Sequence, residues 1–314
     1  MRFFWILFLL PGIALAQTYP SKPVRVIVPF APGGGTDFIA RFVAQRLSAS
    51  LGQQFVVENR PGAGGSIGAE QGVRAAPDGY TLTVISNSYT VNPSLYKMRF
   101  DPVGDITALV QVSQGPYIVT VHPSVPAQSM AELIALAKAR PEALNFASSG
   151  TGSINHLATE LLALMAGFKL NHVPYKGTGP ALTDTIGGQT NATLGSTAST
   201  LPHVKSGRLR ALAVTTSRRL AAEPNLPTVA EAGVPGYETV LWHGFIGPKG
   251  IPAPIVQRLN AEVNKLLQRK ETAESLQNDG VSPAGGSAEE FLAVIKKEIG
   301  VWRKVVADAG VKVE

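Results

Sequence analysis

Residues 24–37 read Val-Arg-Val-Ile-Val-Pro-Phe-Ala-Pro-Gly-Gly-Gly-Thr-Asp, and this stretch decides the fold. The near-continuous apolar run 24–29 is the mark of a strand buried on both faces. Residues 36–51 follow with Ile39, Val43 and Leu47 at helical spacing. Between them Gly33, Gly34 and Gly35 allow close backbone approach and positive φ, while Thr36 or Asp37 can cap the helix. Free N–H groups at such a helix start favour an anion by ~0.3–1 kcal/mol, and by up to ~2 when partly buried. The competing reading is a tight strand–helix turn with no ligand. No lysine follows the glycines, and Gly33, Gly35 and Phe38 fail the G-x-G-x-x-G spacing, so the loop fits neither common nucleotide fingerprint.

Outward from this unit the pattern keeps alternating. Strands are expected at 55–57, 81–86, 109–112, 117–121, 144–147, 170–175, 192–194 and 209–215. Helices are expected at 130–139, 153–166 and 180–186. The alternation predicts an α/β chain of doubly wound type. Two further helical patterns, Ile255 to Leu266 and Phe291 to Trp302, are expected to pack back onto the first lobe. Crossings near 117–121 and 235–247 divide the chain into one lobe of 17–118 plus 240–314 and another of 119–239.

At 314 residues and 45% apolar content the chain is long enough for two such lobes and too apolar to be disordered. It has no cysteine, which excludes disulfides, thiolate metal sites, a cysteine nucleophile and lipid attachment through an N-terminal cysteine. Residues 1–16 read as a secretory signal. Arg2 leads a short apolar run, Pro11-Gly12 breaks it, and Ala14-Leu15-Ala16 precedes a cut at Gln17. No apolar run reaches the ~18–20 residues of a membrane span. A periplasmic protein, soluble after cleavage, is expected, and there ATP and NAD are not default ligands. The formal charge of +6 leans only mildly toward anionic partners.

Three more polar loops join the first. Ser148 to Ser153 precedes a helix carrying His156; Pro174 to Pro180 offers Tyr175 and Lys176; Ser86 and Ser88 with Asn92 add donors and acceptors after a strand. In open α/β sheets such loops gather beyond the carboxyl ends of the strands, where ligands bind. Gly64-Gly65-Ser66-Ile67-Gly68 satisfies the hydrolase elbow pattern, yet Glu58-Asn59-Arg60-Pro61-Gly62-Ala63 separates it from the strand candidate at 55–57. An exported serine hydrolase using Ser66 is the alternative function class. The five histidines form no i, i+4 pair, so no metal is expected. The basic residues Lys205, Arg208, Arg210, Arg218 and Arg219 lack interleaved aromatics, so no nucleic acid is expected either.

In combination these segments resemble the Bug-type receptors, the periplasmic solute-binding proteins of tripartite tricarboxylate transporters. The resemblance is carried by 26–37, by Val57-Glu58-Asn59-Arg60-Pro61-Gly62-Ala63-Gly64-Gly65 and by Ala76-Pro77-Asp78-Gly79-Tyr80-Thr81-Leu82. It continues through Gly152-Ser153, His156, Val173 to Gly177, Leu226 to Gly233, and the pair Trp242 and Gly244. It implies a two-lobed Venus-flytrap (periplasmic-binding-protein) fold holding a small mono-, di- or tricarboxylate, with no cofactor and no catalysis. It places one carboxylate at Pro32, Gly33, Gly34 and Asp37, facing Ser149, Thr151, Gly152, Ser153 and His156. The implied partners are membrane permease subunits or a sensor kinase, and a monomer is expected. One departure stands out: Thr190-Asn191 replaces the family's usual Val-Asp and removes an acidic group.

Overall fold

The computed structural model describes residues 19–141 and 144–310; the expected signal segment lies outside them. The chain opens with β1 (Val24–Val28), α1 (Gly35–Leu51), β2 (Phe55–Asn59), α2 (Ser66–Val73), β3 (Thr81–Ser86), α3 (Ser88–Leu95) and β4 (Ile106–Gly115). It passes through Pro116 into β5 (Tyr117–Val121), α4 (Met130–Ala139), β6 (Asn145–Ser148), α5 (Ile154–Ala166) and β7 (Asn171–Pro174). Then come α6 (Thr178–Ile186), β8 (Ala192–Ser196), α7 (Thr197–Lys205) and β9 (Arg210–Val214). The return runs through β10 (Leu241–Pro248), α8 (Ala253–Leu267), α9 (Lys270–Asn278), β11 (Ser282–Pro283) and α10 (Ala288–Ala309).

Two sheets result, ordered β11-β4-β10-β3-β1-β2 and β7-β6-β8-β5-β9. Each is the centre of one lobe. Strands β1, β2 and β3 run parallel, as do β6, β7 and β8. The strands that cross between lobes break this pattern: β10 is antiparallel to β3 and β4, and β5 is antiparallel to β8 and β9. The sheets are therefore mixed rather than purely doubly wound, because a strand arriving from the other lobe enters from the opposite end. The sheet change falls at Pro116, so Tyr117 and Ile118, expected in the first lobe, pair with Ser196 and Gly195 of the second.

Helix α3 stands where a polar loop was expected. Its buried Tyr89 and Val91 supply an apolar face that the flanking hydroxyls hide in the sequence, and Pro93 lies within it. Helices α7 and α9 were likewise not foreseen; α7 is rich in Ser and Thr and contains Pro202. Helix α10 begins with a capping box between Ser287 and Glu290 and ends at Gly310 in the left-handed region.

Helix α10 joins both lobes. Phe291, Ile295 and Ile299 belong to a first-lobe cluster with Trp242 and Ile246. Trp302 and Val306 belong to the second-lobe core with Leu133, Phe146 and Leu157. Between them lies Glu298, whose carboxyl accepts Trp242 Nε1–H at 2.8 Å and the Thr90 hydroxyl at 3.2 Å. Burial raises its pKa above the ordinary value despite those donors. The folded state therefore keeps this proton to higher pH than the unfolded state does. The stabilisation is full below the ordinary glutamate range and is lost as pH rises through the folded value. Glu298→Gln should remove that dependence. Its urea midpoint should gain on the parent's with rising pH, and a constant gap between the two profiles would refute this.

Candidate functional site

The lobes meet along a seam of backbone. Ala31 N–H donates across it to Lys176 O at 2.8 Å, the Tyr96 hydroxyl to Thr151 O at 2.6 Å, and Ile154 N–H to Ser88 Oγ at 3.0 Å. Glycines make this approach possible. A Cβ on Gly179 would lie 2.1 Å from Pro32 O, one on Gly35 2.5 Å from Ser196 Oγ, and one on Gly64 2.6 Å from Thr151 O.

A cavity of about 20 Å³ remains inside the seam. That holds one or two waters at the ~10–15 Å³ each requires. It sits at the start of α1, lined by Gly34, Gly35, Thr36, Ser86, Ser88, Ser149, Thr178, Ser196 and His243, with Phe30, Tyr117, Ile154 and Leu241 as apolar wall. None of these residues carries a formal charge. The first intrahelical bond of α1 is Phe38 N–H to Gly34 O at 2.9 Å, so the N–H groups before it have no acceptor within the helix. The donors here are dipoles and hydroxyls, which suit an oxyanion without a counter-cation.

Gly34, Ser86, Ser88 and Ser149 thus come together at the cavity. The other expected residues are placed elsewhere. Pro32 and Gly33 lie on the exposed side of the loop, against Gly179. Asp37 turns inward, accepting from Gly33 N–H, Arg41 Nε and Asn59 Nδ2 at 2.9–3.1 Å. Its burial works to raise the pKa, but Arg41, Asn59 and Gly33 together hold the carboxyl below the usual range. Asp37 shapes the loop. The Asn92 amide spans Ser88 O and Ser66 N–H at 3.1 and 3.3 Å. Thr151 offers its carbonyl to Tyr96, and Gly152 N–H donates to His156 Nδ1 at 3.2 Å. Ser153 Oγ is fully buried within 2.6 Å of Gly150 O.

His156 stacks on His172 at 3.7 Å, and burial followed by the charge of His156 pushes His172 down to about 3. The pair braces loop 149–153 from behind. The Tyr175 hydroxyl donates to Asp184 Oδ2 at 2.6 Å, and Lys176 is exposed, contributing its carbonyl alone to the seam. Thr190 bonds Thr185 and Asn191 accepts from Asn145 N–H, away from the cavity, so the missing acidic group does not alter its lining. Ser66 opens α2 after a 3-10 turn at Ala63–Gly65, so the strand-to-helix elbow of a hydrolase is not formed there.

Gly35, Thr36, Thr178, Ser196 and His243 were not singled out as ligand residues. Thr36 and Gly35 were readable from the anion argument at α1. Ser196 and His243 carried no signal, since α7 was hidden and β10 reads as a crossing segment.

Among the described residues no helix is long and apolar enough to cross a membrane, and no cluster of three or more His, Asp or Glu could hold a metal ion. Residues 39–311 match the family described as the tripartite tricarboxylate transporter family receptor. The chain is 39% identical over 302 residues to the protein BugT of Bordetella pertussis, covering 95% of this chain and 93% of that one. It superposes on an adipate-bound protein of R. palustris with a TM-score of 0.91 at 38% identity, covering 94% of this chain and 99% of the other. For malate-bound MatC from Rhodopseudomonas palustris the TM-score is 0.87 at 31% identity, with 92% and 100% covered. The chain therefore belongs to the tripartite tricarboxylate transporter receptors, a family of two-lobed periplasmic solute-binding proteins.

Proposed function

We propose that the protein captures a small carboxylate-bearing solute between its lobes and presents it to the membrane permease of a tripartite transporter. It works in the periplasm once residues 1–16 are removed. The observation that carries this reading is the cavity itself: the start of α1, whose first N–H groups have no acceptor within the helix, and a ring of hydroxyls, closed off by the opposite lobe. The adipate and malate held by two relatives support the solute class. No step of catalysis is needed. A solute of several carbons exceeds the closed cavity, so it enters with the lobes parted and is retained because the closed state binds it better.

Calorimetric titration of the exported protein against mono-, di- and tricarboxylates should give micromolar binding, about −8 kcal/mol, to at least one of them. Small-angle scattering should show compaction on binding. A panel without any binder would refute the reading. Hydrolysis of an activated ester that Ser66→Ala abolishes would restore the enzyme alternative.

A further inference from the structure

We infer that His243 binds the solute directly, its Nε2–H acting as an uncharged donor to an oxygen of the captured carboxylate; this rests on the reading above. His243 lies on β10 opposite Ser86 of β3 and Ser113 of β4, and the β10–β4 register slips immediately after it. Directly opposed residues share a sheet face. His243 and Ser86 accordingly line the cavity side by side. Such register slips re-aim side chains next to binding sites.

The ring is 2% exposed, and its Nε2 has no hydrogen-bond partner among the described residues. Orphaned buried nitrogens are rare, because leaving one unsatisfied costs stability. This one borders the cavity that the start of α1 also lines. The tautomer follows from Ser113. Its hydroxyl is fully buried, lies 3.2 Å from His243 Nδ1, and has no other side-chain partner among the described residues. If Nδ1 were the donor, the serine proton would have nowhere to go. Both groups are satisfied when Ser113 donates to Nδ1, which leaves the ring proton on Nε2. Burial lowers the His243 pKa to about 3, so the ring stays neutral at periplasmic pH. Gly35 lies beside it, at the distance where a Cβ would make ordinary contact with His243 Cε1, 3.6 Å.

The cavity therefore presents a neutral N–H of a side chain together with main-chain N–H groups, and no carboxylate for a cationic solute group. Its preferred guest turns acceptor oxygens inward. Calorimetry with adipate and malate tests this on the parent, His243→Leu and His243→Gln. The leucine variant should lose about tenfold or more in affinity, while glutamine, which keeps an N–H donor, retains most of it. Imidazole nitrogen shifts in histidine-labelled parent protein should report a neutral Nε2–H ring, independent of any solute. Ser113→Ala, outside the cavity, should turn that signal into a tautomer mixture. A leucine variant that is folded and binds as tightly as the parent overturns the inference and leaves the solute reading intact, and an Nδ1–H ring in the parent does the same. If neither acid binds the parent, the variants are titrated with whichever acid of the wider panel does, and only a panel without any binder removes the solute reading and the inference with it.

Discussion

Gly179→Ala should weaken solute binding ~10- to 100-fold while both lobes stay folded. Gly179 occupies the first turn of α6, where alanine is the better helix former by ~1 kcal/mol. Within its own lobe the substitution is therefore neutral or favourable. The cost arises only across the seam, where the added Cβ would lie 2.1 Å from Pro32 O and 3.3 Å from Gly33 C. Both are backbone atoms, so no side chain can swing aside. Overpacking of this kind costs ~1–3 kcal/mol, and here it falls on the closed state alone. Gly300→Ala is the control, since that position on α10 has open space around it and should bind as the parent does. Thermal unfolding should show Gly179→Ala at least as stable as the parent, and its scattering profile should compact less with solute. Parent-like affinity in the alanine variant would mean that closure does not bring these loops together.

The largest stability loss is expected from Phe291→Ala. The ring is 1% exposed and meets Trp242 edge-on, with centroids 5.4 Å apart and planes at 89°. Its far edge fills the space beside Gly244, where a Cβ would be within 2.2 Å of Phe291 Cζ. Nothing larger than glycine fits beneath the ring, so little can collapse into the void that truncation leaves. Removal of a buried phenylalanine costs ~3–5 kcal/mol, toward the upper end where relaxation is poor. The urea midpoint should fall with an unchanged slope. A loss below ~1 kcal/mol would show that α10 is not anchored through this ring.

The parts of the fold legible in the sequence are those with strong periodicity. β1 and α1 stand where the apolar run and the spacing of Ile39, Val43 and Leu47 put them. The elements that escaped are short and mix polar or glycine residues with apolar ones. In α3 the apolar positions are Tyr89 and Val91 among serines, threonine, asparagine and a proline, a composition that reads as loop. In β10, Gly244 and Gly247 interrupt the pattern although all eight residues are buried, because helices cover both faces of the sheet.

The candidate cavity was half legible for a related reason. The helix-start argument led to Gly34 and its neighbours because backbone geometry follows from glycine. Charged and aromatic candidates drew notice and lie outside the lining of this cavity. Asp37 holds its loop, His156 braces another, and Lys176 points to solvent. What faces the cavity is hydroxyl, amide and one neutral imidazole, residue types too common to mark a site. Their convergence comes from β1, β3, β6, β7, β8 and β10 and the segments that follow them, which only the assembled sheets bring together.

Helix α10 governs how the two halves can travel. A joint of two extended strands, at Pro116 and near Val240, would by itself allow both bending and torsion. A rigid rod whose ends are rooted in different cores adds a third tie that resists the torsion. The lobes are thereby guided along a single arc, as a door is by a second hinge. That guidance matches the tolerances at the far edge, where Gly179 and Gly35 must arrive against Pro32 and Ser196 with no slack for a methyl group. A receptor built this way returns to the same register on every cycle, whichever solute it carries.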